Sequence, residues 1–158
     1  MTTNYLKVLQ ESLLKKKEIL ESVLLASEKQ RDIVLAERVD WDAFDRSIDA
    51  KALLIDNLSK LDDGFQNIYD RVKEEIADNK DKYKDEIVAM QDLIRKVTEL
   101  GTQVETLELR NKTLIEKRFA EEHKQIKQSK IGSKVAMEYY QKMNKLNVVD
   151  PQLMDRKS

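Results

Sequence analysis

Residues that break helices are almost absent from this sequence, and their scarcity constrains the fold more than any other feature. The 158 residues include three Gly and one Pro, and Pro151 lies beyond the last periodic segment. Inside a helix, Gly costs about 1 kcal/mol and Pro about 3 kcal/mol relative to Ala. Because only 6% of the residues are aromatic and 37% are charged, we expect an all-α chain with a long, narrow apolar seam as its core.

Apolar residues recur at intervals of three and four along most of the chain, which is the spacing of amphipathic helices. They predict three long helices, over about residues 4–37, 41–77 and 82–127. The predicted fold is an elongated antiparallel helical bundle or coiled coil that occupies residues 1–127. After Gly132 we expect a short fourth helix and a flexible tail, so residues 128–158 form a separate segment.

Four local features refine this prediction. Lys16, Ser27 and Gln30 interrupt the apolar seam of the first helix and weaken it as a zipper partner. Asp40 is a good N-cap for the second helix, because its carboxylate can accept free amide protons of the first turn. Gly64 falls inside that helix, but the apolar period keeps its phase there, which predicts one continuous helix. The polar stretch 77–81 predicts a second corner, although it contains no Gly or Pro, so continuity of the second and third helices stays open.

A heptad series in the third predicted helix resembles a parallel two-stranded zipper. Leu occupies one seam position at Leu93, Leu100, Leu107 and Leu114, and Val97, Val104 and Asn111 occupy the other. A DNA-binding zipper needs a basic region immediately upstream, whereas residues 82–92 are balanced in charge. Two interpretations remain: the seam packs against the other helices of its own chain, or Leu93, Leu100, Leu107 and Leu114 form a homodimer.

Composition also argues against several functional classes. Without Cys, the chain has no disulfide framework and no thiolate zinc site. No glycine-rich phosphate loop or nucleophile motif is present, and the single His, His123, has no His or Cys companions. We therefore expect no enzyme activity, no metal and no cofactor. No stretch reaches the ~18 apolar residues of a membrane span, and the first residues do not resemble a signal peptide, so we expect a cytoplasmic protein without membrane insertion.

The net charge of −1 hides an asymmetry, with roughly −7 in residues 1–109 and roughly +6 in residues 110–158. A basic solvated tail and a surface for a partner both fit this pattern. A nucleic acid partner is not expected, because the lysines are scattered and no base-reading element accompanies them.

The apolar pattern thins after Ile115, so large side chains beyond it lack predicted neighbours in the chain and suit helix-in-groove binding. The candidate partner-binding residues are Phe119, Ile126, Ile131, Tyr139, Tyr140, Met143 and Leu146.

Over most of residues 1–146 the pattern resembles the flagellar type III export chaperones of the FlgN/FliT class, with a FlgN-like assignment favoured. The segments that carry the resemblance are 51–58 (KALLIDNL), 61–65 (LDDGF), 108–112 (ELRNK) and the pair Tyr139-Tyr140. The resemblance implies a cytosolic chaperone that binds a flagellar structural subunit, such as a hook-associated or cap protein. Such a chaperone prevents premature assembly and delivers the subunit to the export gate.

By the same resemblance, Phe119, Ile126, Tyr139, Tyr140 and Met143 would contact the cargo, and one tyrosine would contact the gate. The alternative function is a structural coiled-coil dimer or scaffold protein without an export role.

Overall fold

The computed structural model describes residues 2–122, which form three long helices. They are α1 (Thr2–Leu35), α2 (Trp41–Asp78) and α3 (Lys84–Glu121), and no strand occurs within this range. The prediction of an all-helical chain with three long helices is confirmed. α1 begins and ends two residues earlier than expected, and α3 begins two residues later. The predicted fourth helix and tail, and the end of the third helix at 127, lie outside the described residues.

Helix α1 buries one residue in every three or four, as its sequence predicts. The buried row runs from Leu6 to Val34 and includes Lys16, Ser27 and Gln30, so the three polar seam residues face the interior instead of solvent. Each of them is therefore required to find a partner in another helix, because an unpaired polar group is costly to bury.

The first corner, residues 36–40, ends at a capped helix start. The Asp40 side chain accepts a hydrogen bond from the Ala43 backbone amide at 3.0 Å, which confirms the predicted N-cap. Trp41 and Phe44 follow on one face and pack edge to face, with ring centroids 5.6 Å apart. Together with buried Val39 they close this end of the helices. α2 then continues through Gly64 without interruption, as predicted.

The second corner separates α2 from α3, so the two helices are not continuous. The Asn79 amide donates to the Ile76 carbonyl at 3.3 Å, and the Tyr83 amide donates to the Asn79 carbonyl at 3.2 Å. Tyr83 is buried, and its hydroxyl donates to Glu75 at 3.0 Å. The corner is therefore held by a buried aromatic ring and by hydrogen bonds rather than by Gly or Pro.

Pairs of polar residues define the directions of the helices. Lys16 reaches Asp62 and Gln30 reaches Ser47, so α1 and α2 are antiparallel. Ser27 reaches Glu108 and the Arg118 guanidinium reaches the Glu37 carbonyl, so α1 and α3 are parallel. α1 packs closely against both other helices, whereas the backbones of α2 and α3 approach each other less closely.

The interior is divided lengthwise into three apolar clusters. The first cluster lies near the 79–83 corner and is built around Leu6, Tyr69 and Met90. The middle cluster contains Leu20, Ile55 and Val104. The third cluster lies near the 36–40 corner, where Val34, Trp41, Phe44 and Ile115 meet. Two polar layers separate the clusters: the Lys16 layer (Lys16 and Asp62) and the Lys51 layer (Ser27, Gln30, Ser47, Lys51, Glu108 and Asn111).

Large apolar side chains also occur on the surface, but singly. Leu14, Leu25, Leu53 and Leu109 are between 46% and 64% exposed, and they belong to three different helices. Isolated exposed leucines are ordinary on protein surfaces. Among the described residues, no helix combines the length and the apolar character required to cross a bilayer.

Candidate functional site

Of the seven residues predicted to bind a partner, Phe119 alone lies among the described residues. It occupies the last turn of α3 and is half-buried. Ile126, Ile131, Tyr139, Tyr140, Met143 and Leu146 lie outside the described residues, so their role stays a prediction. The same is true of His123.

The end of α3 lies beside the corner between α1 and α2. The Arg118 guanidinium donates to the Glu37 carbonyl at 3.0 Å, which ties the last turn of α3 to the 36–40 corner. The Glu122 amide closes α3 with bonds to the Arg118 and Phe119 carbonyls at 3.0 and 3.3 Å. Phe119 directly follows Arg118 on this last turn, and Leu35, at the end of α1, is 56% exposed.

Beneath this surface, the third cluster contains a polar atom without a partner. The Trp41 ring is 8% exposed, and its Nε1 is buried with no hydrogen-bond acceptor among residues 2–122. A buried indole N–H normally finds an acceptor. Trp41 therefore closes this end of the helices, and it leaves one donor unsatisfied.

The Lys51 layer is the most unusual polar arrangement in the described residues. The Lys51 side chain is fully buried, and its Nζ donates to Glu108 Oε1 at 2.6 Å and to Gln30 Oε1 at 2.8 Å. Glu108 also accepts from the Ser27 hydroxyl. The three helices thus meet at one buried ion pair, with α2 supplying the cation and α3 the anion.

Asn111 and Gln30 extend this layer towards the third cluster. Asn111 Nδ2 donates to the Ser27 carbonyl at 2.9 Å and to Gln30 Oε1 at 3.4 Å. Gln30 Nε2 donates to Ser47 Oγ at 2.9 Å. Two acceptors in the layer, Glu108 Oε2 and Asn111 Oδ1, are buried without a donor in the part of the chain that the structure describes.

Burial dominates the electrostatics of the Lys51 layer. Desolvation lowers the pKa of Lys51 from its ordinary value, and the charge and hydrogen bond of Glu108 oppose this effect. Buried lysines of lowered pKa act as nucleophiles or bases in some enzymes, but this amine is enclosed by the three helices and is not exposed to any substrate. The geometry favours a structural role for the layer.

The Lys16 layer is smaller and more exposed. Lys16 Nζ lies 2.8 Å from Asp62 Oδ1, and the Asp62 side chain is 33% exposed. Burial raises the pKa of Asp62, and the Lys16 charge opposes this rise. This pair joins α1 to α2 and does not involve α3.

The heptad series of α3 is used within the chain, but its seam is rotated from the predicted one. Val97, Val104 and Asn111 face the interior as expected. The next buried row consists of Ile94, Gly101, Glu108 and Ile115, whereas Leu93, Leu100 and Leu114 are half-buried at the edges of the three clusters. Leu107 is buried at 7% exposure. Homodimerisation through these leucines remains a prediction.

Sequence reasoning missed the Lys51–Glu108 pair. The available signal was the polar seam of α1, because buried Ser27 and Gln30 need polar partners at the same level. A second signal was the position of Lys51, which falls three residues after Ile48 and four before Ile55 on the apolar face of α2. The identity of its partner, 57 positions away, is not indicated by the sequence. Within residues 2–122, no group of three or more His, Cys, Asp or Glu side chains is placed to hold a metal ion.

Comparison with known proteins gives no relative for this chain. No family model, no curated protein and no solved structure matches it.

Proposed function

We propose that this protein is a cytosolic export chaperone that binds a flagellar structural subunit and delivers it to the type III export gate. Its binding surface is the end of the bundle where α3 terminates, continued by the candidate residues beyond position 122. The predicted coiled-coil character and the predicted short C-terminal helix belong to this proposal. A flagellar subunit is proposed as the cargo because the pattern over most of residues 1–146 resembles the FlgN/FliT class.

The observation that carries the proposal is the position of Phe119. This large apolar side chain is half-buried on the last turn of α3, next to Arg118, which donates to the Glu37 carbonyl of the 36–40 corner. A partly exposed apolar ring on a folded helix end offers a guest helix a preformed contact, and a preformed contact reduces the entropy lost on binding.

The mechanism is physical. A terminal segment of the subunit forms an amphipathic helix when bound, and the chaperone covers the apolar stripe that otherwise drives subunit assembly. Affinity and coverage are the measurable properties of the proposed activity.

The test begins with a pull-down from cells that make flagella. Recovery of one secreted flagellar subunit in equimolar amount supports the proposal, and its terminal peptide then serves as the ligand in calorimetry. Phe119→Ala should weaken binding of that peptide, whereas Leu109→Ala, at a 60% exposed position elsewhere on α3, should not. If the two variants bind alike, the surface at the end of α3 is not the binding site.

Removing residues 139–146 tests the remaining candidate residues. The shortened chain should lose binding while keeping its circular dichroism and its melting temperature. A large fall in either quantity shows that this segment supports the fold instead of the partner.

A second candidate function, a structural dimer or scaffold, is favoured by the half-exposed row of Leu93, Leu100 and Leu114. This row follows one edge of α3 from residue 93 to residue 114, and a self-association surface requires such a row. Sedimentation equilibrium over a wide concentration range tests it. A dimer that Leu100→Lys dissociates supports this function, and a monomer at all concentrations removes it.

A further inference from the structure

We propose that the Lys51 layer is a register lock, which selects one longitudinal position of α3 against α1 and α2. All three helices contribute to the layer, and Lys51, Glu108 and Asn111 are each no more than 4% exposed. The ion pair at 2.6 Å and the Asn111 bond to the Ser27 carbonyl at 2.9 Å both form at one register.

The apolar residues of α3 do not select that register by themselves. Their pattern repeats every seven residues, so a shift of one heptad replaces Val97 by Val104 and Leu100 by Leu107. Shifted registers of this kind are the usual competitors of a regular heptad seam, and a buried polar residue is the best-attested device against them.

The 79–83 corner holds the register through its side chains and not through a special backbone turn. It contains no Gly or Pro, and no residue in the described range has a positive φ. A shift of one heptad would therefore cost this corner the burial of Tyr83 and its bond to Glu75, but it would require no unfavourable backbone conformation.

In either shifted register, the polar residues of the layer meet apolar ones. Lys51 would face Gly101 or Ile115 instead of Glu108, and Glu108 would face Phe44 or Leu58. Asn111, now beside Ser27, would lie beside Leu20 or Val34. A buried charge without its partner is strongly destabilising, so the layer excludes both alternatives.

The lock also sets where α3 ends. Seven residues correspond to about 10 Å along a helix, so a shift of one heptad would move Phe119 by about that distance from the 36–40 corner. The lock does not depend on the proposed function, but it fixes the geometry of the surface on which that function relies.

Distances between spin labels on α2 and α3 test the lock. The chain has no Cys, so Asn57→Cys and Glu116→Cys, both at exposed positions, give one label on each helix. The two sites are offset along the axis, so a shift of one heptad changes their separation by up to about 10 Å.

Three variants are compared in this labelled background. The triple variant, Lys51→Met/Glu108→Leu/Asn111→Val, replaces the polar residues that α3 contributes to the layer and the lysine of α2, and it leaves Ser27, Gln30 and Ser47 in place. Lys51→Gln/Glu108→Gln removes the charges but keeps groups that can hydrogen-bond to each other. Lys16→Met/Asp62→Leu is the matched control, because it removes a polar pair whose hydrogen bond joins α1 to α2 and does not include α3.

The triple variant should fold and show a second distance population, displaced by the length of about two helical turns, while the Gln pair and the control keep one population. A triple variant with a single population at the original distance overturns the lock. A triple variant that does not fold also overturns it, because the layer would then supply stability rather than register. A second population in the control or in the Gln pair would show that the register of α3 does not depend on the matched polar groups of the Lys51 layer.

Discussion

At the scale of single residues, Lys51 is the side chain on which most of the interior polar structure depends. Its ammonium group donates to two helices at once, in a position where desolvation lowers its pKa. The attraction between two buried charges roughly offsets the loss of their hydration. The intact pair therefore contributes little to the free energy of unfolding, but either charge is strongly destabilising when it is buried without the other.

Lys51→Met alone should lower the free energy of unfolding by about 3 to 5 kcal/mol, because it leaves Glu108 buried without its cation. Urea denaturation followed by circular dichroism measures this loss. Lys60→Met, at an exposed position on the same helix, is the matched control and should change stability by no more than about 0.5 kcal/mol. Equal stabilities of the two variants would contradict the buried ion pair.

The Asp40 side chain belongs to the same scale, since one hydrogen bond defines its role. It caps α2 through the Ala43 amide at 3.0 Å, and replacing a capping Asp by Ala costs about 1 kcal/mol. Asp40→Ala should therefore lower the urea midpoint at an unchanged denaturant slope. Asp42→Ala, in the first turn of the same helix, removes only the interaction with the helix dipole and should cost less. A larger effect at Asp42 would show that charge, and not capping, stabilises this start.

At the scale of elements, the helices could be predicted from the sequence because their signals are local. The buried face of α1, the N-cap at Asp40 and the passage of α2 through Gly64 all follow from spacing and from the chemistry of neighbouring residues. The rotation of α3 could not be predicted in the same way. Whether Leu100 or Gly101 faces the interior depends on where α1 and α2 lie, and that information is not contained in α3.

The same limit applies to the candidate sites. The polar seam of α1 indicated that polar partners were needed, and Asn111 was recognised as a seam residue. To identify Glu108 and Lys51 as those partners, one must know how the three helices are aligned, because the residues involved lie far apart in the sequence. Phe119 was predicted because the apolar pattern weakens after Ile115, and Ile115 is indeed the last α3 member of the buried third cluster.

Gly64 gives a prediction that belongs to α2 as an element. A Cβ added at this position meets no atom within 4 Å, and the backbone there is already helical. Gly64→Ala should therefore stabilise the protein by about 0.5 to 1 kcal/mol, through the better helix propensity of Ala and a less flexible unfolded chain. Thermal unfolding measures the gain. Lys60→Ala, on the same helix, should be nearly neutral, because Lys already has a propensity close to that of Ala. A loss of stability in Gly64→Ala would mean that α2 bends at this point in solution.

At the scale of the whole molecule, the two ends of the bundle are closed by different means. The end at the 36–40 corner is closed by the third cluster, with Trp41 over Phe44. The opposite end is tied by Glu75, which accepts hydrogen bonds from the Thr2 hydroxyl and from the Tyr83 hydroxyl at 3.0 Å. One carboxylate thus connects the start of α1, the end of α2 and the second corner.

These bonds make the Glu75 end sensitive to acid. The hydrogen bond from Thr2, followed by the one from Tyr83, lowers the pKa of Glu75 below its ordinary value. A group whose pKa is lower in the folded state stabilises that state above its unfolded pKa, and the contribution is lost as the pH falls through the folded pKa. The contribution of Glu75 should therefore be complete at neutral pH and should disappear only below its usual titration range.

Carboxyl carbon NMR titrations of the wild type and of two variants test this assignment directly. Thr2→Val should raise the pKa of Glu75 more than Tyr83→Phe does, because the Thr2 bond is the larger cause of its depression. Glu75 is itself exposed. An ordinary pKa of Glu75 in the wild type would therefore mean that water has replaced both hydroxyl donors. In that case, apolar contacts alone join this end of the three helices.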